Sequence, residues 1–506
     1  MVARTHAVVT VGVDPRLVSV EADVSSGLPG MTIVGLGDTA ISEARDRVRA
    51  AVLHSRADWP RTRITVALLP SSLPKRGSAL DAPIAVSVLA ASDQVPRVAA
   101  EAVMVLGELG LDGRLHPVSG VIAAALLARQ HGGLRLLVPL ANVAEARLVR
   151  GVDVGGVRDI DHLIGILRGL AQPDDPPPCP PADRPTPALD LADVRGQVEA
   201  RKALEVAAAG GHHLSLVGLP GAGKSLLASR LPGLLPDLND EDALEVTAIR
   251  SVAGMLPGTD LVRRPPFEAP HHSASAAAVI GGGQGSRVRV GAITLAHRGV
   301  LFLDETPEFA RHVLDALRQP LEEGQVRVSR SELSVLLPAR FQLVIAANPC
   351  PCGRGLDGDD AACSCSPLQR RRYAARLSGP IADRIDLRLP IRRPTIADLG
   401  EPGESTAVVA PRVRAARERA AARWKAAGLP WRVNGDVPGP VLRRDWLADD
   451  RGMAMMRRAL SGGGLSMRGA DRVLRVAWTL ADLAGHPTPV CEDVARAMAL
   501  RGPDPS

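Results

Sequence analysis

Aromatic side chains make up 2% of this 506-residue chain, with one tyrosine, Tyr373, four phenylalanines and five tryptophans. So few rings leave little on which nucleic-acid bases could stack, which argues against binding through rows of exposed aromatics. Cysteine is also scarce. Six in a chain of this length cannot form a disulfide scaffold, and four of them crowd between Cys350 and Cys365, which points to metal or local structure in a reducing compartment. No apolar run approaches bilayer-spanning length, and the opening MVARTHAVVTVGVDP lacks a basic segment followed by an apolar core of signal-peptide length. A cytoplasmic location with no membrane contact is expected. Neither sign of charge dominates: 61 basic against 55 acidic residues leaves +6, and a pI of about 9.3 permits an anionic partner without requiring one.

Two motifs stand out. Gly218, Leu219, Pro220, Gly221, Ala222, Gly223, Lys224 and Ser225 spell GLPGAGKS, a phosphate-cradling loop after the apolar run Leu214 to Val217 and before the helix-like SLLASRL. In such a loop backbone N–H groups close around phosphates, Lys224 reaches the β- and γ-phosphates, and the Ser225 hydroxyl ligates Mg²⁺. Some eighty residues on, the run VLFLDE ends in two carboxylates. Asp304 is assigned to the Mg²⁺ of bound ATP, and Glu305 to orienting or polarising the attacking water. The pair of motifs predicts a nucleotide-driven enzyme.

The length suggests about three domains. Half of the sixteen residues from Gln172 to Pro187 are proline, so 171–188 reads as a semi-rigid linker, with Cys179 a passenger in it. Residues 1–170 alternate strand-like pieces (HAVVTVGVD, LVSVEADV, ITVALLP, VMVLGEL, LRLLVPL) with helix-like ones, predicting a mixed α/β domain. Residues 189–400 carry the motifs on strand pieces HLSLVG, VLFLDE and FQLVIAAN, predicting a parallel α/β sheet with active residues at its carboxyl edge. Residues 401–506 read as a helical lid.

Further candidates lie around the motifs. Asn348 ends FQLVIAAN and could sit between the carboxylates and the γ-phosphate, or simply form a turn. Arg384, between Asp383 and Asp386, reads equally as an internal ion-pair partner or as a side chain projecting into a neighbour's nucleotide. Arg468, near the start of a helix, is suited to reach phosphates from the lid. Cys350, Cys352, Cys363 and Cys365 could bind a structural Zn²⁺ within a loop containing Gly353, Gly355 and Gly358, or could be kept for turn shape. His271 and His272 lack an obvious third ligand and are assigned a structural or allosteric role. The alternation GQVRVSRSELSVLLPARF predicts a hairpin.

The strings DVRGQVEARKALEVAAAGGHHLSLVGLPGAGKS, PHHSASAAAVIGGG, ITLAHRGVLFLDETPEF, AANPCPCGRG, SGPIADRIDL and LSMRGADRVLRVAWTLADL, in this order, resemble the YifB/ComM family of magnesium-chelatase-like AAA+ ATPases. That resemblance implies a ring, usually hexameric, with a segment inserted in the second helix of the core, here within 263–295. It also implies that Asn348 is sensor 1, Arg384 a trans-acting arginine finger, and Arg468 a sensor 2 arginine acting on its own chain's nucleotide. By analogy with helicase relatives, the hairpin points into the ring pore and offers Arg327 and Arg330 to nucleic acid, though a solvated hairpin face explains them equally. Glu268 departs from the family's frequent basic residue before the two histidines. LGELGLDGRLHPVSGVIAAALLARQHGG resembles the proteolytic domain of Lon-type proteases, implying a ribosomal S5 domain 2-like fold. Where those enzymes carry the lysine of a Ser-Lys dyad this chain has Ile122, which accepts no proton, and KRGSALDAP holds Ser78 out of register.

Eight arginines between Ser366 and Arg393, and six basic residues between Arg412 and Lys425, could form a phosphate-backbone surface without sequence preference, or a solvated face. The leading expectation is an ATP-hydrolysing motor acting on single-stranded or branched DNA. A chelatase-type ATPase that remodels a partner protein is the alternative, and an ATP-dependent protease is disfavoured.

Overall fold

The structure is a computed structural model and describes the chain except residues 1, 36, 38, 76, 177–188, 257, 259, 283–288, 331–332, 355–362, 378–380, 395–402 and 503–506. Most of the proline-rich segment, with Cys179, lies outside the described residues, as do Gly355, Gly358 and the side chain of Arg330.

The N-terminal strands follow the period of two in their sequence. Val2–Val11 pairs antiparallel along its whole length with residues 14–23 of the strand Asp14–Ser25, and the buried Val18, Val20 and Ala22 share one face. Seven strands form one sheet in the order Gly30–Val34, Arg63–Leu69, Asp14–Ser25, Val2–Val11, Val103–Val105, Arg135–Pro139, Val154–Val157. Helices Thr39–His54 and Asp81–Ala91 cover one face, the second buried along its whole length; helix Val121–Gln130 belongs to a second apolar cluster with Met104, Leu136 and Val138. Ile122 is fully buried there, a core position.

A second sheet is entirely parallel. Its order is Phe267–Glu268, Val300–Leu303, Gln342–Ala347, Leu214–Gly218, Leu387–Ile391. Gln342–Ala347 is buried at every residue: the apolar run Leu343–Ala347 suits a central strand covered on both faces, and the Gln342 amide donates to the Ala207 and His212 carbonyls. Pro390, which lacks a backbone N–H, is tolerated because its strand lies at the edge. The loop, the two carboxylates and Asn348 all leave the carboxyl ends of neighbouring strands. SLLASRL gives less helix than its sequence suggests: Lys224–Ala228 is followed by a break and then the short Leu231–Leu234.

The C-terminal segment is helical, with Thr406–Ala426, Asp450–Ser461, Met467–Ala484 and Cys491–Arg501 as its longer elements. Four of the five tryptophans gather in it. Trp424, fully buried, meets Trp431, Trp446 and Trp478 edge to face, and the Arg423 guanidinium lies 4.2 Å from the Trp478 ring centroid. Among the described residues no helix is long and apolar enough to cross a membrane.

The expected hairpin forms from Gln325–Arg330 and Leu333–Pro338, burying Val326, Val328, Val335 and Leu337 and leaving Arg327 exposed. Val11 and Val13, at the first turn of the chain, pack against that cluster. A second contact between the two halves joins helix Val121–Gln130 to Asp240–Val252: Ala248 enters its apolar cluster, and the Ser251 hydroxyl donates to Glu145.

Candidate nucleotide site

Gly221 and Gly223 hold φ of +75° and +90°, which side-chain-bearing residues rarely adopt; this lets the loop turn tightly over the start of helix Lys224–Ala228. The buried Lys224 ammonium donates to the carbonyls of Gly218 (2.8 Å) and Leu219 (3.1 Å) and to the Asn348 side-chain oxygen (3.1 Å). Burial pushes its pKa below the ordinary lysine value, against the pull of Asp304 and Glu305. Ser225 Oγ donates to Asp304 Oδ2 at 2.6 Å, so the two assigned magnesium ligands, both hard oxygen donors, already touch. Asp304 is fixed from its other oxygen by the Glu305 N–H at 2.9 Å.

Glu305 itself has a left-handed backbone, φ +48°, uncommon for a residue with a side chain. Its carboxylate lies 3.1 Å from His272 Nδ1. His271 turns to Ser273, 2.7 Å away. The adjacent histidines therefore divide, one toward local structure and one toward the carboxylate beside Asp304. Their adjacency in the chain carries no signal of this division.

A pocket of about 190 Å³ opens beside the loop, lined by Val194, Gln197, Gly223, Leu226 and Pro394 among others. Gln197 anchors it by donating to the Ala222 carbonyl at 2.6 Å. Of these, Gly223 belongs to the expected loop, whereas Val194, Gln197, Leu226 and Pro394 have no assigned role in the sequence; the DVRGQ string in which Val194 and Gln197 lie is the available signal.

The two arginines sit together elsewhere. Arg384, at the end of a short 3-10 turn, ion-pairs with Glu322, and Arg468 bonds Asp383 at 2.8 Å. Burial lowers the Arg384 pKa, with Arg318 and Arg468 adding to the effect. Just beyond, the buried Asp386 links the parallel sheet to the C-terminal helices. His212 joins it at 3.1 Å and bonds Thr479 of helix Met467–Ala484 at 2.7 Å. Burial alone would raise the Asp386 pKa, but His212, Arg475 and Arg472 together hold it well below the usual carboxylate range.

In the second basic cluster Arg414 and Lys425 are exposed, whereas four of the six residues bond neighbouring groups. Arg412 bonds Glu205 and Glu404, Arg417 the Ala208 carbonyl, Arg419 the Asp482 carbonyl, and Arg423 the Asp482 carboxylate. These arginines tie the helix Thr406–Ala426 to its neighbours. In the first cluster Arg388 and Arg393 also cap backbone carbonyls, while Arg371, Arg372 and Arg392 are exposed. Glu268, the departure noted above, pairs with Arg250 at 3.1 Å.

Three family profiles match the chain: "Magnesium chelatase, subunit ChlI" over residues 190–399, "Subunit ChlI of Mg-chelatase" over 20–142, and "Magnesium chelatase, subunit ChlI C-terminal" over 403–501. The chain is 50% identical to the uncharacterized protein Rv2897c of Mycobacterium tuberculosis, covering 98% of both. It is 42% identical to the uncharacterized protein YifB of Escherichia coli, covering 94% of this chain and 92% of that one. It is 39% identical to the competence protein ComM of Haemophilus influenzae, covering 97% and 96%. With the parallel sheet, the loop and the paired carboxylates in place, the chain belongs to the YifB/ComM family of magnesium-chelatase-like AAA+ proteins.

Proposed function

We propose that the protein is a cytoplasmic ATPase that assembles as a ring, most simply a hexamer, and uses ATP hydrolysis to move on single-stranded or branched DNA. The observation that carries the ATPase is the convergence of Lys224 on Asn348 and of Ser225 on Asp304 at the carboxyl edge of the parallel sheet. The donor set fits the ligands: an ammonium and backbone N–H groups for phosphates, a hydroxyl and a carboxylate for Mg²⁺, and the neighbouring pocket for the base. Magnesium bound with ATP neutralises phosphate charge; Ser225 and Asp304 would hold it. Lys224 exchanges its loop carbonyls for phosphate oxygens, Asn348 holds the ammonium and orients toward the γ-phosphate, and Glu305 positions the water. Arg384 reaches the neighbouring subunit's nucleotide. Because Arg468 shares Asp383's surroundings with it, we assign Arg468 to that same neighbouring site, in place of its own chain's.

The DNA assignment rests on likeness to a protein named for competence and on exposed Arg327, Arg371, Arg372 and Arg392. These contact phosphates, so binding is without sequence preference. The N-terminal sheet acts as a scaffold: Ile122 is core, Ser78 bonds Glu108, and Lys75 is buried on the Pro70 carbonyl. A chelatase-type ATPase that remodels a partner protein is the second reading, favoured by the family descriptions. The ATPase rate, measured alone, with single-stranded DNA, with a four-way junction and with unfolded protein, separates them. Stimulation by DNA is expected; its absence across low and moderate salt would sink the DNA reading.

A further inference from the structure

Two residues beyond Asn348 the strand gives way to a knuckle of thiols. Cys350 Sγ lies 3.3 Å from Cys352 Sγ and 3.7 Å from Cys363 Sγ, Cys352 to Cys363 is 3.6 Å, and Cys365 completes a group whose four sulfurs lie within 4.8 Å of one another. None is disulfide-bonded. Four sulfurs at 2.3 Å from a central ion stand about 3.8 Å apart in a tetrahedron, so the cluster has the dimensions of a tetrathiolate site. Among the described residues this is the group of side chains with metal-ligand geometry. Four soft ligands with no open position suit a d¹⁰ ion held for structure rather than a catalytic metal, which keeps a water.

The knuckle is also braced against the nucleotide loop. Gly353, at φ +74°, closes the turn by donating its N–H to the Cys350 carbonyl at 3.0 Å, and a Cβ there would fall 2.8 Å from Pro220 Cγ. On the far side, helix Pro367–Leu377 begins two residues after Cys365, and its buried Tyr373 hydroxyl lies close enough to the Asn348 backbone to interact with it electrostatically. Asn348 thus lies between the thiol knuckle and the helix that follows the knuckle's last cysteine.

We propose that Cys350, Cys352, Cys363 and Cys365 bind one zinc ion in a closed site, and that this site is a positioning element that sets Asn348 against the phosphate loop. The second half rests on the reading of Asn348 as part of the ATP site; the first does not. Because the ligands come from both sides of the knuckle, losing the ion frees the Cys350–Cys352 turn from the Cys363–Cys365 pair and loosens the chain that leaves Asn348.

Elemental analysis of the full-length protein, purified from medium containing both zinc and iron and desalted, tests the first half. One zinc per chain and negligible iron is the expected result. Zinc below about 0.2 per chain, or stoichiometric iron with visible absorption, overturns it. The double variant Cys363→Ser, Cys365→Ser should lose zinc; should it fail to fold, titration of the wild type with a mercurial and a zinc indicator still reads the site, with zinc released as the thiols react. Zinc that is present but unaffected by thiol modification would place it elsewhere and overturn the proposal. For the second half, the folded, zinc-free variant should bind a fluorescent ADP analogue within about threefold of wild type but hydrolyse ATP at least about tenfold more slowly. Unchanged turnover without zinc overturns the positioning role, whereas full zinc in a protein with no ATPase activity refutes the ATPase reading and leaves the zinc site standing.

Discussion

Glu305 shows how far a single residue can depart from its sequence context. Its place after Asp304 marks it for activating water, and Glu305→Gln, which keeps the shape and removes the charge, should retain ATP binding while lowering turnover at least about 100-fold in a steady-state assay. Normal turnover would remove its role. The carboxylate is nevertheless engaged with His272 at 3.1 Å, and both side chains are partly exposed. A pair of that exposure contributes at most about 1 kcal/mol, which caps its hold on the rate near fivefold. His272→Ala should therefore raise the DNA-free ATPase rate, by no more than about fivefold, and narrow the gap to the DNA-stimulated rate. An unaltered gap would show the contact to be idle. Lys224, Ser225, Asp304 and Asn348 were legible from sequence because each follows an apolar strand whose end fixes its place. The pairing of Arg412 with Glu205 and the partners of Arg468 and His272 were not, since those partners lie on elements distant in the chain, and no local pattern encodes which carboxylate a basic side chain will meet.

At the scale of elements, continuous apolar or strictly periodic stretches announce themselves, even the four-residue Val300–Leu303, and short stretches broken by glycine, proline or charge do not. Gln342–Ala347 and Met467–Ala484 were legible; Phe267–Glu268, Val154–Val157 and Leu387–Ile391 were not, being two to five residues long or interrupted by glycine and proline. The phosphate-loop strand is held to its neighbours partly by His213. Its carbonyl accepts from Asp386 and Leu387 on one side, and its Nδ1 accepts the Leu343 N–H at 3.0 Å on the other. That acceptor exists only in the neutral ring. Burial pushes the His213 pKa down from 6.5 to about 4, so between those values the folded chain binds fewer protons than the unfolded chain. The stabilisation is complete above about pH 6.5 and is lost as pH falls toward 4. Melting temperature should drop through that window, and His213→Asn, which keeps an acceptor without titrating there, should flatten the drop. An equal slope in the variant would assign the acid sensitivity to other groups.

For the whole molecule, the proposed shared site makes a prediction no single chain can show. Arg384→Ala and Lys224→Ala should each assemble and fail to hydrolyse ATP, yet mixing them should restore activity, because an intact loop from one subunit meets an intact arginine from the next. Arg468→Ala should complement Lys224→Ala in the same way; its failure to do so, alongside recovery with Arg384→Ala, would return Arg468 to its own chain's nucleotide. The scarcity of aromatics, read at first only as a lack of stacking platforms, has a second outcome. With Trp424, Trp431, Trp446 and Trp478 clustered in the C-terminal helices and Trp59 packed on the N-terminal sheet, the parallel sheet and its loop carry no indole. Intrinsic emission is consequently a label-free optical gauge of the helical layer, dark to the chemistry itself and bright to any repacking that nucleotide binding passes to it.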